Sequence, residues 1–196
     1  MNLQLQDGIH ILTLTNAENG GDNRLTTAVV GEYLAALDTV EQYQGNTALL
    51  LTCTHKKTFS TGINLDWLMQ LDDAGRREFA IAFETLLCRL ALLNAPTVAC
   101  INGNAYAGGA IIASAADFRL MRSDRGRYCY PEVDIEIPFT QISSDIGQLL
   151  PNQQAVKNMM LTGVAYTGLE CAELQIVDAI YPQDQLQKEA LSLAKT

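Results

Sequence analysis

The residues most able to do chemistry lie in two glycine-bearing turns. The first reads Phe59-Ser60-Thr61-Gly62-Ile63-Asn64-Leu65-Asp66, and the second Asn102-Gly103-Asn104-Ala105-Tyr106-Ala107-Gly108-Gly109. Each follows a short apolar run of strand character, residues 47–53 and Thr97–Ile101, and each leads toward a helix. The exit of a strand into a helix leaves backbone N–H groups without partners, and the helix dipole adds positive potential there. Glycine removes the Cβ that would keep a ligand off the backbone. Two such N–H groups converging on one point form an oxyanion hole. Taken singly, each turn is also what an ordinary α/β protein needs. Neither fits a P-loop or a GxGxxG pattern, so phosphate cradling of those kinds is not indicated.

The remaining reactive residues point to less. The five cysteines, Cys53, Cys88, Cys100, Cys129 and Cys171, are scattered and odd in number. They show no CxxC spacing and no shared histidine, which suits reduced thiols in the cytoplasm rather than a disulfide framework or a metal site. The formal net charge of −9 argues against nucleic acid, because neutralising phosphates needs clustered Lys and Arg. No signal peptide and no apolar run long enough to span a membrane is visible. His10 sits in a hairpin pattern and reads as structural. Lys56 and Lys57 stand just before the first turn, either on a solvated loop or near a ligand's phosphates.

The elements that must carry these turns follow from periodicity. Alternation around Asp7-Gly8 predicts a β-hairpin. Residues 17–23 are polar and read as a loop. Thr26 or Thr27 can cap a helix to about Tyr43. Asp72 or Asp73 can cap a long helix to about Leu93, after a short one over 65–71. Residues 110–116 are small and apolar like a packed helix, and 118–121 look like a strand. Helices are expected near 143–149, 153–161, Gly168–Glu173 and 183–195, with a strand at 176–180. Buried strands alternating with helices make this an α/β chain, with one domain over residues 1–196.

At this point the motifs resemble a known family. FSTGINLDWL, PTVACINGNAYAGGAIIASAADFRLM, RGRYCYPEVDIEIP and LTGVAYTGLECAELQIVDAIYP are similar, in order, to the signature blocks of the enoyl-CoA hydratase/isomerase (crotonase) superfamily. The resemblance covers roughly Leu3 to Pro182. It implies a crotonase-like (ClpP/crotonase) spiral of ββα units, shortened at the C-terminus where members carry trimerisation helices. It implies a coenzyme A thioester as substrate, no further cofactor and no metal. It also implies a homo-oligomer, a trimer or a multiple of one.

Carried over, the oxyanion donors are the backbone N–H groups of Ile63 and Gly108, with Gly62 and Gly109 shaping the turns. Asn64 and Leu65 would line the CoA channel, and Lys56 and Lys57 would lie near the CoA phosphates. Members usually have Asp where this chain has Asn64. Hydratases of the family use two glutamates. The first falls here on Ile111, which can neither activate nor protonate water. The second falls on Glu132, with Asp134 and Glu136 as neighbouring rivals. One carboxylate against an apolar wall suits migration of the double bond from 3-enoyl-CoA to 2-enoyl-CoA. The other readings are a different acyl-CoA reaction of the superfamily, such as thioester hydrolysis or decarboxylation, or an acyl-CoA-binding subunit without catalysis.

Overall fold

The computed structural model describes residues 1–15 and 22–196. Two sheets are built from a repeated strand–strand–helix unit. The larger runs in the order β1 (Asn2–Gln6), β2 (Ile9–Leu14), β3 (Ala48–Cys53), β5 (Thr97–Ile101), β7 (Phe118–Arg122) and β10 (Ala179–Tyr181). The smaller runs β4 (Thr58–Ser60), β6 (Asn104–Tyr106), β8 (Arg127–Cys129) and β9 (Tyr166–Thr167). The β1–β2 hairpin is antiparallel and turns at Asp7-Gly8, both with positive φ. From β2 to β10 the larger sheet is parallel.

The middle strands are apolar along their whole length because both faces are covered. In β3, Leu49 and Leu51 enter the main core while Leu50 faces the other way; in β5, Ala99 and Ile101 alternate with Val98 and Cys100. The main core is closed by α1 (Thr27–Gln42), α3 (Asp73–Ala91) and α4 (Gly108–Ala115). The opposite face is closed by α8 (Gln183–Ala194), through Leu186 and Ala190. Each fully buried Leu or Ile contributes about 2 kcal/mol.

Helix starts follow the capping residues. Thr26 caps α1, and Asp72 caps α3 through the Gly75 N–H. Thr167 and Glu170 form a reciprocal capping box on α7 (Gly168–Glu173). Asn64 caps the short α2 (Leu65–Leu68), and Thr140 and Asn152 cap α5 (Gln141–Gly147) and α6 (Gln153–Thr162).

Some expectations need correcting. The stretch 102–109 is not only a turn, since it contains β6, and β4 and β9 were not foreseen. Strands of two or three residues are too short for a period-2 pattern, and only their partners make them strands. The strand expected over 176–180 begins at Ala179. Residues 175–178 instead turn at Gln175, which has φ +56, and Ile176 is buried in the core by that turn. The loop read at 17–23 lies largely outside the described residues. His10 is structural, as its sequence setting suggests: it is buried, with Nδ1 2.8 Å from the Thr47 hydroxyl and its ring against Tyr43. All five cysteines are free thiols, and no helix is long and apolar enough to cross a membrane among the described residues.

A buried guanidinium ties the C-terminal third of the chain to the sheet. Arg119 on β7 donates to the carbonyls of Ala116 and Ile176 and lies 3.6 Å from Asp178. Those carbonyls would lose their donor in an Arg119→Leu variant. That variant should lose about 3 kcal/mol in a urea unfolding curve, with midpoint lowered and slope unchanged.

Candidate active site

The two glycine turns meet because β4 and β6 are parallel neighbours, with Thr58 opposite Asn104 and Ser60 opposite Ala105. Past those strands the chains nearly touch. A Cβ on Gly62 would stand 2.6 Å from the Gly108 nitrogen, and one on Gly109 would stand 2.5 Å from the Ser60 carbonyl oxygen. Gly62 also has φ +80, so both its conformation and its contact exclude a side chain.

The Ile63 N–H is aimed by its neighbours. Leu25 donates to the Gly62 carbonyl at 2.8 Å and accepts from the Asn64 N–H at 2.9 Å. In such a parallel bridge the middle residue's own N–H and C=O point the other way, and Ile63 lines a cavity. Asn23 and Ser60 brace the turn: the Asn23 side chain donates to the Phe59 carbonyl, and the Ser60 hydroxyl donates to the Asn23 carbonyl. Sequence reasoning missed Asn23 and Leu25, because a clamp contributed by a distant loop leaves no local signal.

The second donor is the first residue of α4, whose N–H has no partner within the helix. Ala107 before it adopts φ +49 and ψ −130, which is costly for alanine. That conformation is held by the Ala107 N–H donating to Cys129 at 3.0 Å and by the Ile111 N–H donating to Ala107. Strain stored one residue before the Gly108 amide sets the direction of that amide. Among the described residues neither the Ile63 nor the Gly108 N–H is hydrogen-bonded within the protein.

Both N–H groups open on a mainly apolar cavity of about 550 Å³. Its walls include Leu65 and Leu68 of α2, Phe79 and Phe83 of α3, and Ile111 of α4. The segment after β8 adds Glu132, Ile135, Ile137 and Phe139. The α3 wall was open to sequence reading as a stripe at 76, 79, 80 and 83, but nothing in that stripe says which face meets a ligand. Arg76 and Glu84 also line the cavity; Arg76 is turned back to the Leu68 and Met69 carbonyls.

Glu132 is 6 % exposed, and its Oε2 has no hydrogen-bond partner among the described residues. Burial pushes its carboxyl up from the ordinary 4.5 to about 7, opposed only by its own backbone N–H. Asp134 and Glu136 are exposed and do not line the cavity. Asp134 is directed at Gly163, and Glu136 takes φ +55, a left-handed conformation that points it away from the cavity wall into solvent.

Asn64, Lys56 and Lys57 sit around this centre rather than in it. Asn64 turns its side chain inward to cap α2, accepting from the Trp67 N–H. Lys56 and Lys57 are exposed on the loop before β4 and do not reach the cavity, although the Lys57 carbonyl accepts from Asn104. Trp67 packs edge-on against Phe79 behind the wall. Asp117 accepts from the Thr97 N–H and hydroxyl, both at 2.8 Å, and joins two strands of the large sheet. No group of three or more His, Cys, Asp or Glu among the described residues is placed to hold a metal ion.

Residues 4–196 match the family described as Enoyl-CoA hydratase/isomerase. The chain belongs to the enoyl-CoA hydratase/isomerase family. It is 28 % identical to enoyl-CoA delta isomerase 3 of Arabidopsis thaliana, over 90 % of this chain and 75 % of that one. It is 32 % identical to a Thermus thermophilus protein named as an enoyl-CoA hydratase, over 88 % of this chain and 68 % of that one. Human mitochondrial delta3-delta2-enoyl-CoA isomerase superimposes with a TM-score of 0.89, at 24 % identity, over the whole of this chain and 77 % of that one. The crotonase-like fold expected from the motifs is therefore the fold observed.

The raised Glu132 pKa has a stability consequence in this family member. The folded pKa exceeds the unfolded one, so the folded state binds the proton more tightly. The ionised carboxylate therefore destabilises the fold, and stability falls as pH rises from about 4.5 to about 7, by about 3 kcal/mol in total. Glu132→Gln should be about 1 kcal/mol less stable than the wild type in urea unfolding at pH 4.5, where both side chains are neutral. At pH 8 it should be about 2 kcal/mol more stable, less than the full figure because the amide N–H donors lack partners.

Proposed function

We propose that the chain catalyses migration of the double bond of 3-enoyl-CoA to give 2-enoyl-CoA. One observation carries the reading. A single deeply buried carboxylate shares a cavity with two unpartnered N–H groups, while the helical position that could have supplied a second carboxylate is Ile111, 3 % exposed. The named relatives include both isomerases and hydratases, so the choice between them rests on this chemistry.

In the proposed reaction the thioester carbonyl oxygen accepts from Ile63 and Gly108. Glu132, ionised, takes a proton from C2, and the C2–H electrons form an enolate whose charge spreads onto that oxygen. The diene system is then reprotonated at C4 by the same carboxyl group, leaving the double bond between C2 and C3. Two preorganised N–H donors act where charge develops, in a site with little competing water. A base with pKa near 7 is both ionised often enough to accept the proton and basic enough to remove it. Ile111, Phe83 and Phe139 present only carbon to the acyl chain, so the helical position that could have held a second carboxylate to activate water supplies none. Lys56 and Lys57, exposed at the edge of the first turn, are the cations available to the CoA phosphates. A reducing compartment fits the free thiols.

Conversion of 3-hexenoyl-CoA to the conjugated product should be seen by absorbance, with kcat/KM rising through an apparent pKa near 7 and levelling above it. Glu132→Gln should lower kcat about 10³-fold. Undiminished turnover in that variant would exclude Glu132 as the base. Hydration of 2-hexenoyl-CoA exceeding isomerisation would exclude the isomerase reading.

A further inference from the structure

Behind the apolar wall lies a cluster of buried hydroxyls that the reaction does not touch. Ser114, on the last turn of α4, is 1 % exposed, and Tyr128 and Tyr130 are fully buried. The Ser114 Oγ is 2.5 Å from the Tyr130 hydroxyl and 2.6 Å from the Tyr128 hydroxyl. Tyr128 and Ser114 both reach the Ala110 carbonyl, at 2.6 and 2.9 Å. These three hydroxyls therefore have one carbonyl as their final acceptor. A proton lies in each of the hydroxyl contacts when the chain runs from Tyr130 to Ser114, from Ser114 to Tyr128 and from Tyr128 to the Ala110 carbonyl.

The network joins the two halves of the catalytic centre. Ser114 and Ala110 belong to the helix whose first residue, Gly108, offers an oxyanion N–H. Tyr130 lies two residues before Glu132. The Glu132 carboxylate has no partner on Oε2 to hold it, so its place is set by the backbone that carries it. That backbone is pinned at Tyr130 by the hydroxyl and by edge-on ring contacts to Tyr128 and to Phe139, which lines the cavity. Phenylalanine and alanine would fill the same volume at no polar cost. Buried hydroxyls are tolerated only when fully paired, and when paired they admit one arrangement rather than several.

We propose that Tyr130, acting through Ser114, is a positioning residue that fixes the distance between the Glu132 carboxylate and the Gly108 N–H. The proposal rests on the reading of Glu132 as the base. An error of about 1 Å in such a distance lowers a reaction rate without weakening substrate binding.

The test is a double-mutant cycle with Tyr130→Phe and Ser114→Ala, assayed on 3-hexenoyl-CoA, with thermal midpoints measured alongside. Tyr130→Phe keeps both ring contacts and leaves Ser114 bonded to Ala110, so it should fold. Its kcat should fall about tenfold with KM within about twofold. Ser114→Ala should show the same split, and the double variant should be no slower than the slower single one. Unchanged kcat with a lowered thermal midpoint would make the network a packing feature and overturn the proposal. So would independent, multiplicative losses.

Exchange of the C2 protons of hexanoyl-CoA in D₂O separates this failure from failure of the isomerase reading. That exchange needs the base and the oxyanion hole but no double bond. If the wild type exchanges without isomerising, the same cycle read by exchange decides the network. If it does neither, or if Glu132→Gln exchanges normally, the base reading and this proposal fall together.

Discussion

Everything at the candidate site depends on the contact between two backbones. Gly62 and Gly108 belong to turns separated by more than a whole ββα unit, yet a methyl group on Gly62 would overlap the Gly108 nitrogen. Such an approach is possible only where neither residue has a side chain directed at the other. It is reached only because β4 and β6 pair in parallel and deliver the two turns side by side. The Ile63 and Gly108 N–H groups are brought to the same cavity by the sheet rather than by the turns. The Leu25 clamp on one side and the strained Ala107 on the other then fix their directions.

Around that contact the protein holds an energetic imbalance. A carboxylate kept out of water is unfavourable for folding above neutral pH, and the fold supplies no partner to relieve it. The same burial that raises its pKa is what suits Glu132 to the proposed role of base. In the proposed reaction the apolar residues from α3, α4 and the segment after β8 therefore serve two purposes: they wall the acyl chain, and they raise the pKa of the carboxyl beside it. A polar residue near Glu132 would stabilise the protein and weaken the base.

The helix α4 connects the two requirements. Its N-terminus offers a donor, its first turn places Ile111 in the wall, and its last turn carries Ser114 to the tyrosines that precede Glu132. It is short, and every residue in it is buried. Small side chains let it lie against β4 and β6 of the smaller sheet and against α3 and α5, so a displacement at either end would be felt at the other.

The amino-acid sequence by itself determined the long elements and the chemical types at the centre. The long strands of the large sheet, the capped helices and the two glycine turns all follow from apolar periodicity, capping residues and the absence of side chains. These are local properties, and short stretches of chain carry them. The motif order was enough to show the family, and with it the spiral of ββα units. Tertiary structure decided what depends on residues far apart in the chain. The second sheet exists only through pairing, because its strands are too short to declare themselves. The Asn23–Leu25 clamp on the first turn comes from a loop with no regular pattern. Glu132, Asp134 and Glu136 are alike as acids in a short acidic stretch. Only the packing of α3, α4 and Phe139 around the turn after β8 buries one carboxyl and leaves two in water, since burial is a property of the surroundings and not of the residue.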